Sequence, residues 1–339
     1  MTQTSANASP VVGVDIGGTK VAVGFVDSNG TILKQLRKPM ISTGDAEAGF
    51  KAVTAAIDTL LTEAGISLAE GEAHGKIRGV GICAPGPLDP KTGIVVNPPN
   101  LPCWRNFPLA ARLAEIYRVP VKVDNDANAA ALAETYWGAA RGYRYVFYAT
   151  VGTGIGSGIV FDGRIYHGKT GAAGEGGHVS IDYRGPRCNC GKLGCIEILA
   201  AGPAIVLRAR NKLTAELSVK SPRKSVILDL ANGKIEAVTS EMVGQAFAAG
   251  DALAREILQE ITELLTVWLG NIVDLLDPDV IVMGGGVAAM LSPFFHDIKK
   301  RLPVWCVNPR CSEIPLLLAH YKADAGIAGG AALCAEVIV

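Results

Sequence analysis

The chain has no excess of charge of either sign: its 339 residues carry 32 Lys+Arg against 32 Asp+Glu, a formal net charge of +0. Nothing advertises a nucleic-acid or membrane surface, and partners of those classes are not expected. Long apolar runs are missing too. Even the stretch from Ile272 to Met290 is interrupted by Asp274, Asp277 and Asp279, which argues against a membrane span. Met1 to Pro10 is polar and uncharged, without the basic and apolar regions of a secretory signal. A disulfide framework is not expected of the eight Cys either. Cys188, Cys190 and Cys195 cluster, whereas Cys83, Cys103, Cys306, Cys311 and Cys334 are scattered, many among apolar neighbours, where Cys behaves as a small hydrophobe. A cytoplasmic protein is expected.

What the chain does have is hydrophobic content of 49% and 40 Gly, which suits an α/β protein with many tight turns. The length calls for two domains. Residues 11–30 read as two strands joined at Gly17-Gly18-Thr19 and closed by a turn over Asp27 to Gly30. Phe50, Val53, Ile57, Leu60, Leu61 and Ala64 recur at helical spacing and predict a helix over 46–64, ending at Gly65. Strands are predicted over 77–82 and 119–123, and an Ala-rich helix over 127–138.

The junction near 124 is the predicted hinge. It separates a small α/β domain over 1–124, completed by a C-terminal helix over 325–339, from a large α/β domain over 125–324. A second hairpin, through Tyr145 to Thr150 and Ile159 to Phe161 with its turn at Gly152 to Gly158, echoes the first. Two related domains of this kind would place a nucleotide between them. An amphipathic helix is predicted over 252–276, with Leu253, Ile257, Ile261, Leu264, Leu265, Leu269 and Ile272 inward. A strand over 280–283 then runs into Gly284-Gly285-Gly286. Residues 212–234 read only as a polar connection with some helix.

The densest chemistry lies in Gly174-Glu175-Gly-Gly-His178 and Cys188-Asn-Cys190-Gly-Lys-Leu-Gly-Cys195-Ile-Glu197. One His and three Cys at this spacing match a closed tetrahedral zinc site, with His178, Cys188, Cys190 and Cys195 as ligands. Gly191 and Gly194 let the loop fold tightly. Glu175 and Glu197 are not needed as ligands and are free to face a polar substrate. A Gly-rich surface loop with packing thiols is the plainer alternative.

Three Gly-rich turns are candidate phosphate grips. Asp15 stands at a strand end beside Gly17, Gly18, Thr19 and Lys20. There the backbone N–H groups and the Lys could meet phosphate, and the carboxylate could meet hydrated Mg²⁺ travelling with ATP. Gly152-Thr153-Gly154 is the second turn. It lacks the Gly-Lys-Ser/Thr ending of a Walker A loop, and a strand follows it instead of the helix of a dinucleotide fingerprint. Gly284, Gly285 and Gly286 form the third, suited to a flat adenine over the backbone. Each by itself is compatible with an ordinary turn.

Asn125-Asp126 ends a predicted strand, where ligands sit in open α/β sheets. Asp126, with an ordinary pKa of about 3.9, would be ionised and able to accept a hydroxyl proton; equally, it could simply cap the helix after it. Asn100, in the Pro-rich Asn97-Pro-Pro-Asn100-Leu-Pro-Cys-Trp104, could bind a vicinal diol or serve the turn.

Together these motifs resemble the ROK family (repressors, open reading frames and kinases) of the actin-like, hexokinase and Hsp70 ATPase superfamily, and most of all its bacterial ATP-dependent glucokinases. The resemblance runs from about Val11 to Ala332 through Asp15-Ile-Gly-Gly-Thr19, Ala84-Pro-Gly-Pro87, Asn100-Leu-Pro-x-Trp104, Asn125-Asp-Ala-Asn128, Gly152-Thr-Gly-Ile-Gly156, Glu175-Gly-Gly-His178 and the Cys cluster ending at Glu197. It implies a two-domain actin-like (ribonuclease H-like) ATPase fold with an interdomain active-site cleft and a zinc-stapled loop. It also implies ATP-dependent phosphorylation of a hexose 6-hydroxyl, with Asp126 as general base. Asn100, Asn125, Asp126, Glu175, His178 and Glu197 would ring the sugar, His178 serving zinc through one ring nitrogen and the sugar through the other. Mg²⁺ and a structural Zn²⁺ are the implied cofactors, and a homodimer is the family's habit.

Two departures stand out. Cys103 replaces the family's usual Gly before the Trp, putting the sugar loop's shape in doubt, and Gly176 replaces an Ile, which would loosen the backbone beside Glu175. Glucose is the favoured sugar over N-acetylmannosamine, N-acetylglucosamine, mannose or fructose. A sugar-sensing repressor and a polyphosphate-using kinase are the rivals of other kinds. Ten residues before the first strand are too few for a DNA-binding domain, and polyphosphate users typically lack the Cys cluster.

Overall fold

Near-continuous apolar residues mark a strand covered on both faces, and polar alternation marks one at an edge. β1 (Val11–Ile16) and β2 (Lys20–Val26) are of the first kind, and β3 (Ile32–Pro39) of the second. The computed structural model of the chain describes residues 9–66 and 76–335; positions 1–8 of the N-terminal stretch and 336–339 of the expected last helix lie outside the described residues.

After β3 come α1 (Ala46–Glu63), β4 (Val80–Cys83), the short β5 (Leu88–Asp89) and β6 (Ile94–Val95), α2 (Leu109–Tyr117), β7 (Val121–Asp124) and α3 (Asp126–Tyr136). A second hairpin follows, β8 (Tyr145–Val151) and β9 (Ile155–Phe161), with β10 (Arg164–Ile165). Then come α4 (Ile196–Ala200), α5 (Gly202–Leu217), α6 (Val226–Leu230), α7 (Ser240–Ala248) and α8 (Ala252–Leu276). The chain closes with β11 (Val280–Gly284), α9 (Gly286–Leu291), α10 (Phe295–Arg301), β12 (Leu316–Leu318) and α11 (Ala325–Cys334).

The two five-stranded sheets run β3-β2-β1-β4-β7 and β10-β9-β8-β11-β12. In the first, β1 and β2 are antiparallel while β4 and β7 add in parallel. The second repeats this strand order. The echo between the hairpins is therefore an echo of whole sheets. Among the described residues no helix is long and apolar enough to cross a membrane.

By contact the chain forms two compact units. One holds Met1–Tyr148, Gly158–Gly174 and Ala319–Val339; the other holds Ala149–Ser157 and Glu175–Leu318. This differs from the expected 1–124 and 125–324: α3, the chain on to Tyr148, Gly158–Gly174 and the stretch from Ala319 all group with the N-terminal sheet. Small residues let α3 and α11 approach so closely that a Cβ on Gly329 would lie 2.8 Å from the backbone of Ala129. The second turn is also shorter than expected. Gly156 and Gly158 lie inside β9, and a Cβ on Gly158 would meet the Ala127 carbonyl at 2.7 Å. Both belong to the strand instead of a turn, and Gly158 admits α3.

The first unit's core joins β1, β2, β4, α1 and α2 around Ile57, Leu60, Ile82, Leu113 and Trp104. Trp104 stacks on Phe107, ring centroids 5.0 Å apart, and donates its indole N–H to the Ala46 carbonyl at 3.2 Å. In the second unit α8 is capped by Asp251, which accepts from Ala254 N–H, and buries Leu253, Ile257, Ile261, Leu265 and Leu269 as the periodicity predicts. Leu264 is half-buried and Trp268 takes a central place.

α11 crosses the first sheet at glycine-only distance: a Cβ on Gly81 would lie 1.8 Å from the Gly330 carbonyl. Gly81→Ala should therefore destabilise the protein by about 1–3 kcal/mol, the usual cost of overpacking. Urea denaturation checks this, and an unchanged midpoint would count against the close approach.

Candidate functional site

In the second unit the sequence brings His178, Cys188, Cys190 and Cys195 together, with all four ligand atoms within 4.8 Å of one another. Cys188 Sγ is 3.7 Å from His178 Nδ1, and Cys190 Sγ is 3.6 Å from Cys195 Sγ. A zinc tetrahedron with bonds of about 2.3 Å has edges of about 3.7 Å, so the donor set and spacing fit that ion. Gly191 and Gly194 take φ of 93° and 62°, the left-handed region that lets the loop close. Burial pushes the Cys195 thiol up to about 12, and the neighbouring thiols add to the push. The backbone N–H of Lys192 lowers that of exposed Cys190. A cation is what would hold both as thiolates.

Glu175 is exposed at the start of the short 3₁₀ turn Gly176–His178. Glu197, expected to be free, is partly engaged. Its Oε2 accepts the Ile155 N–H at 3.0 Å, and its Oε1 lies 4.0 Å from His178 Nδ1. A Cβ on Gly154 would meet Glu197 Oε2 at 2.7 Å, so the glycine turn and this carboxylate are packed together. Gly176, expected to loosen its surroundings, is buried and held on both sides. Its N–H donates to Ser157 Oγ at 3.0 Å and its carbonyl accepts from Trp268 Nε1 at 3.0 Å. A Cβ at 176 would lie 2.4 Å from Ser157 Oγ and 3.3 Å from the Trp268 ring.

The second and third glycine turns meet at one cavity of about 1270 Å³. Gly152, Thr153 and Gly286 line it, whereas Gly154 turns to Glu197, Gly284 is buried at the end of β11, and Gly285 caps α9 with φ 87° against the Val151 carbonyl. Val206, Leu207, Phe247, Val287 and Met290 supply apolar walls, and Arg210, Ser240 and Gln245 supply polar groups. The sequence reading did not find the walls from α5 and α7, since nothing local to those helices points at a ligand.

In the first unit, Gly17 N–H closes the hairpin on the Lys20 carbonyl at 2.9 Å, leaving Thr19 and Lys20 exposed. A Cβ on Gly18 would lie 2.8 Å from the Asn100 carbonyl, so this turn rests on the Pro-rich loop. Asn100 is exposed while Trp104 anchors the loop from inside. Cys103 is buried, and its N–H donates to the Ser42 carbonyl at 3.0 Å.

Asp126 does not cap α3. Asn125 does, its Oδ1 accepting the Asn128 N–H at 2.7 Å, an arrangement worth about 1 kcal/mol. Asp126 is the first helical residue, and its Oδ1 accepts from Ala127 N–H at 2.8 Å. The expectation of an ordinary pKa is corrected. Asp126 keeps exposed surface, yet the protein packed around it desolvates the carboxyl and raises it, with Ala127 N–H pulling the other way. Asp15 is raised too, by burial first and then by the charge of Asp126, against Lys20 and Arg37. Burial pushes the Cys83 thiol well up, and the charges of Asp15, Asp126 and Asp124 add to the push. Asp124 and its partner His167 were not singled out in the sequence, because only the fold brings residues 124 and 167 together.

Freshly purified protein should carry zinc at about one per chain by metal analysis. Cys190→Ser should lose it, lower the melting temperature and raise KM for the acceptor substrate. Metal-free wild-type protein with an ordered loop would refute the ligand assignment.

The chain matches the ROK family over residues 11–337. A glucokinase of Halalkalibacterium halodurans is 34% identical over 322 residues, covering 94% of this chain and 93% of its own length. Among solved structures, a ROK family glucokinase from Streptomyces griseus in complex with glucose and AMPPNP is similar with a TM-score of 0.76 at 32% identity, over 96% of this chain and 99% of that one. An N-acetylmannosamine kinase of Salmonella typhi is 28% identical over 94% of this chain and 96% of its own length. A xylose repressor of Caldicellulosiruptor bescii is also 28% identical, over 88% of this chain and 71% of the repressor. The paired sheets and these likenesses identify the actin-like ATPase fold. The chain belongs to the ROK family.

Proposed function

We propose that this ROK sugar kinase transfers the γ-phosphoryl group of ATP to the 6-hydroxyl of glucose, giving glucose 6-phosphate and ADP. One observation carries the reading: Asn125 takes over the capping of α3, so the Asp126 carboxylate at the helix start is spared that duty. In the proposed reaction the sugar O–H proton passes to Asp126 as the oxygen bonds to phosphorus and the bond to the ADP oxygen breaks. Phosphoryl transfer asks mainly for positioning and charge stabilisation, so a carboxylate of modest basicity suffices.

In this reading the sugar is held by Asn100, Asn125, Glu175, His178 and Glu197. The capping bond occupies Asn125 Oδ1, so its Nδ2 donors face the sugar. The phosphates are held by Gly17, Gly18, Thr19 and Lys20 and by Gly152, Thr153 and Gly154. The cavity beside Gly286 suits the adenine in size and apolar walls. Mg²⁺ supplies neutralisation of phosphate charge, and Asp15 would reach its water shell. Zinc is structural, fixing His178. The proposed setting is the cytoplasm, with a homodimer as the assembly.

A second reading keeps the chemistry and changes the acceptor to an N-acetylhexosamine, mannose or fructose. The full-length likeness to an N-acetylmannosamine kinase supports keeping it. An ADP-release assay over a panel of these sugars, with ATP and polyphosphate as donors, decides. The highest kcat/KM should fall on glucose with ATP, and a preference for another sugar would replace glucose in the proposal.

Asp126→Asn should lower kcat by roughly 10²–10⁴-fold, the scale of a lost general base. A carboxyl raised in the folded state weakens the fold as pH rises through that value. The Asn variant should therefore match or exceed the wild-type melting temperature at neutral pH. In the wild type, kcat should fall on acidification at a pH above the ordinary carboxylate range, because the base must be ionised. Near-normal turnover by the variant would exclude Asp126 as the base.

A further inference from the structure

β7 ends on Asp124, whose carboxylate is buried at 3% exposure. Three donors converge on it. Oδ1 accepts the Asn125 N–H at 2.7 Å and Asn128 Nδ2 at 3.1 Å, and Oδ2 lies 2.6 Å from His167 Nε2. The first two donors belong to the turn that carries Asp126. The third comes from the segment after β10, 43 residues away in sequence. An ionised carboxylate only accepts, so the imidazole donates from Nε2.

A buried carboxylate is tolerable only when its oxygens are matched by donors. Asp124 meets that need by gathering its own turn around Oδ1, which draws Asn125 and Asn128 to one point. His167 holds the other oxygen and thereby the plane of the carboxylate. Without it, Oδ2 is left to find water or rotate, and rotation moves the Oδ1 reference on which the turn is hung. The Asp126 carboxylate begins two residues along the same backbone, so a small rotation displaces it.

We infer that His167 is a positioning residue for the phosphoryl transfer, acting through Asp124 to fix the turn that presents Asn125 and Asp126. The inference rests on the reading of Asp126 as the base. Asp124 itself is part of this support and is not in contact with the reacting atoms.

The test uses the full-length protein with His167→Phe, His167→Gln and Asp126→Asn in parallel, reading kcat, KM for glucose, zinc content and melting temperature. His167→Phe should lower kcat by roughly 10- to 100-fold, the scale of a misplacement of about 1 Å, with zinc content unchanged and a smaller change in KM than in kcat. His167→Gln, whose amide can donate to Oδ2, should recover most of the loss. Wild-type kcat in the Phe variant overturns the inference, as does a loss that Gln does not recover. If the Phe variant does not fold, Asp124→Asn takes its place with the same expected loss and the same overturning result. Should Asp126→Asn turn over normally, the base assignment falls and this inference with it. A dead Asp126→Asn beside a fully active His167→Phe overturns this inference alone.

Discussion

The second unit depends on one contact, the Glu197 carboxylate laid against Gly154 and bonded to the Ile155 N–H. Glu197 sits in the first turn of α4, directly after Cys195, which is a member of the metal-ligand cluster and the N-cap of that helix. The metal loop, α4 and the glycine turn between β8 and β9 are thus one mechanical piece. The Gly202 N–H bonded to the Gly152 carbonyl at 2.8 Å ties α5 into the same piece. A side chain at 154 would displace the Glu197 carboxylate from this position. The loop's own framework is short and local: the Ile196 N–H donates to the Val179 carbonyl, and Ser180 bridges Cys195.

The first unit concentrates negative charge. Asp15, Asp124 and Asp126 all bear on the Cys83 thiol, and burial raises Asp15 and Asp126 above their ordinary range. Such a cluster opposes folding by itself, since desolvated like charges repel. The fold offsets this with donors and cations at particular atoms: His167 and the turn amides at Asp124, Ala127 N–H at Asp126, Lys20 and Arg37 near Asp15. Local destabilisation that persists because its surroundings over-determine it is a recurring sign of a working site. On the proposed reading of Asp126 as the base, the same packing keeps that proton acceptor in place.

Much of the architecture was legible from periodicity and punctuation. The long helix over 252–276 and both hairpins follow from spacing and turn residues, because those signals are local. The metal cluster was legible for the same reason, its three Cys lying within eight residues. The errors share a different cause. Gly156 and Gly158 read as a turn but lie in β9, Gly158 against α3, and Gly176 reads as a loosening but is packed between Ser157 and Trp268. A glycine's neighbours across space are invisible to local reading. The contact units differ from the division expected near 124 for a similar reason, since the packing of α3 on α11 joins segments far apart in the chain.

The sequence by itself determined the fold class, the His/Cys set that could hold a metal ion and which carboxylate opens α3, since each depends on residue types at short spacing. Only the tertiary structure decided that Asn125 takes the cap, that Asp126 is raised, that Glu197 spends an oxygen on Ile155, and that Asp124 is held by His167. Those outcomes turn on desolvation and on which donor reaches an oxygen first. Both are set by packing between segments that the chain order keeps apart.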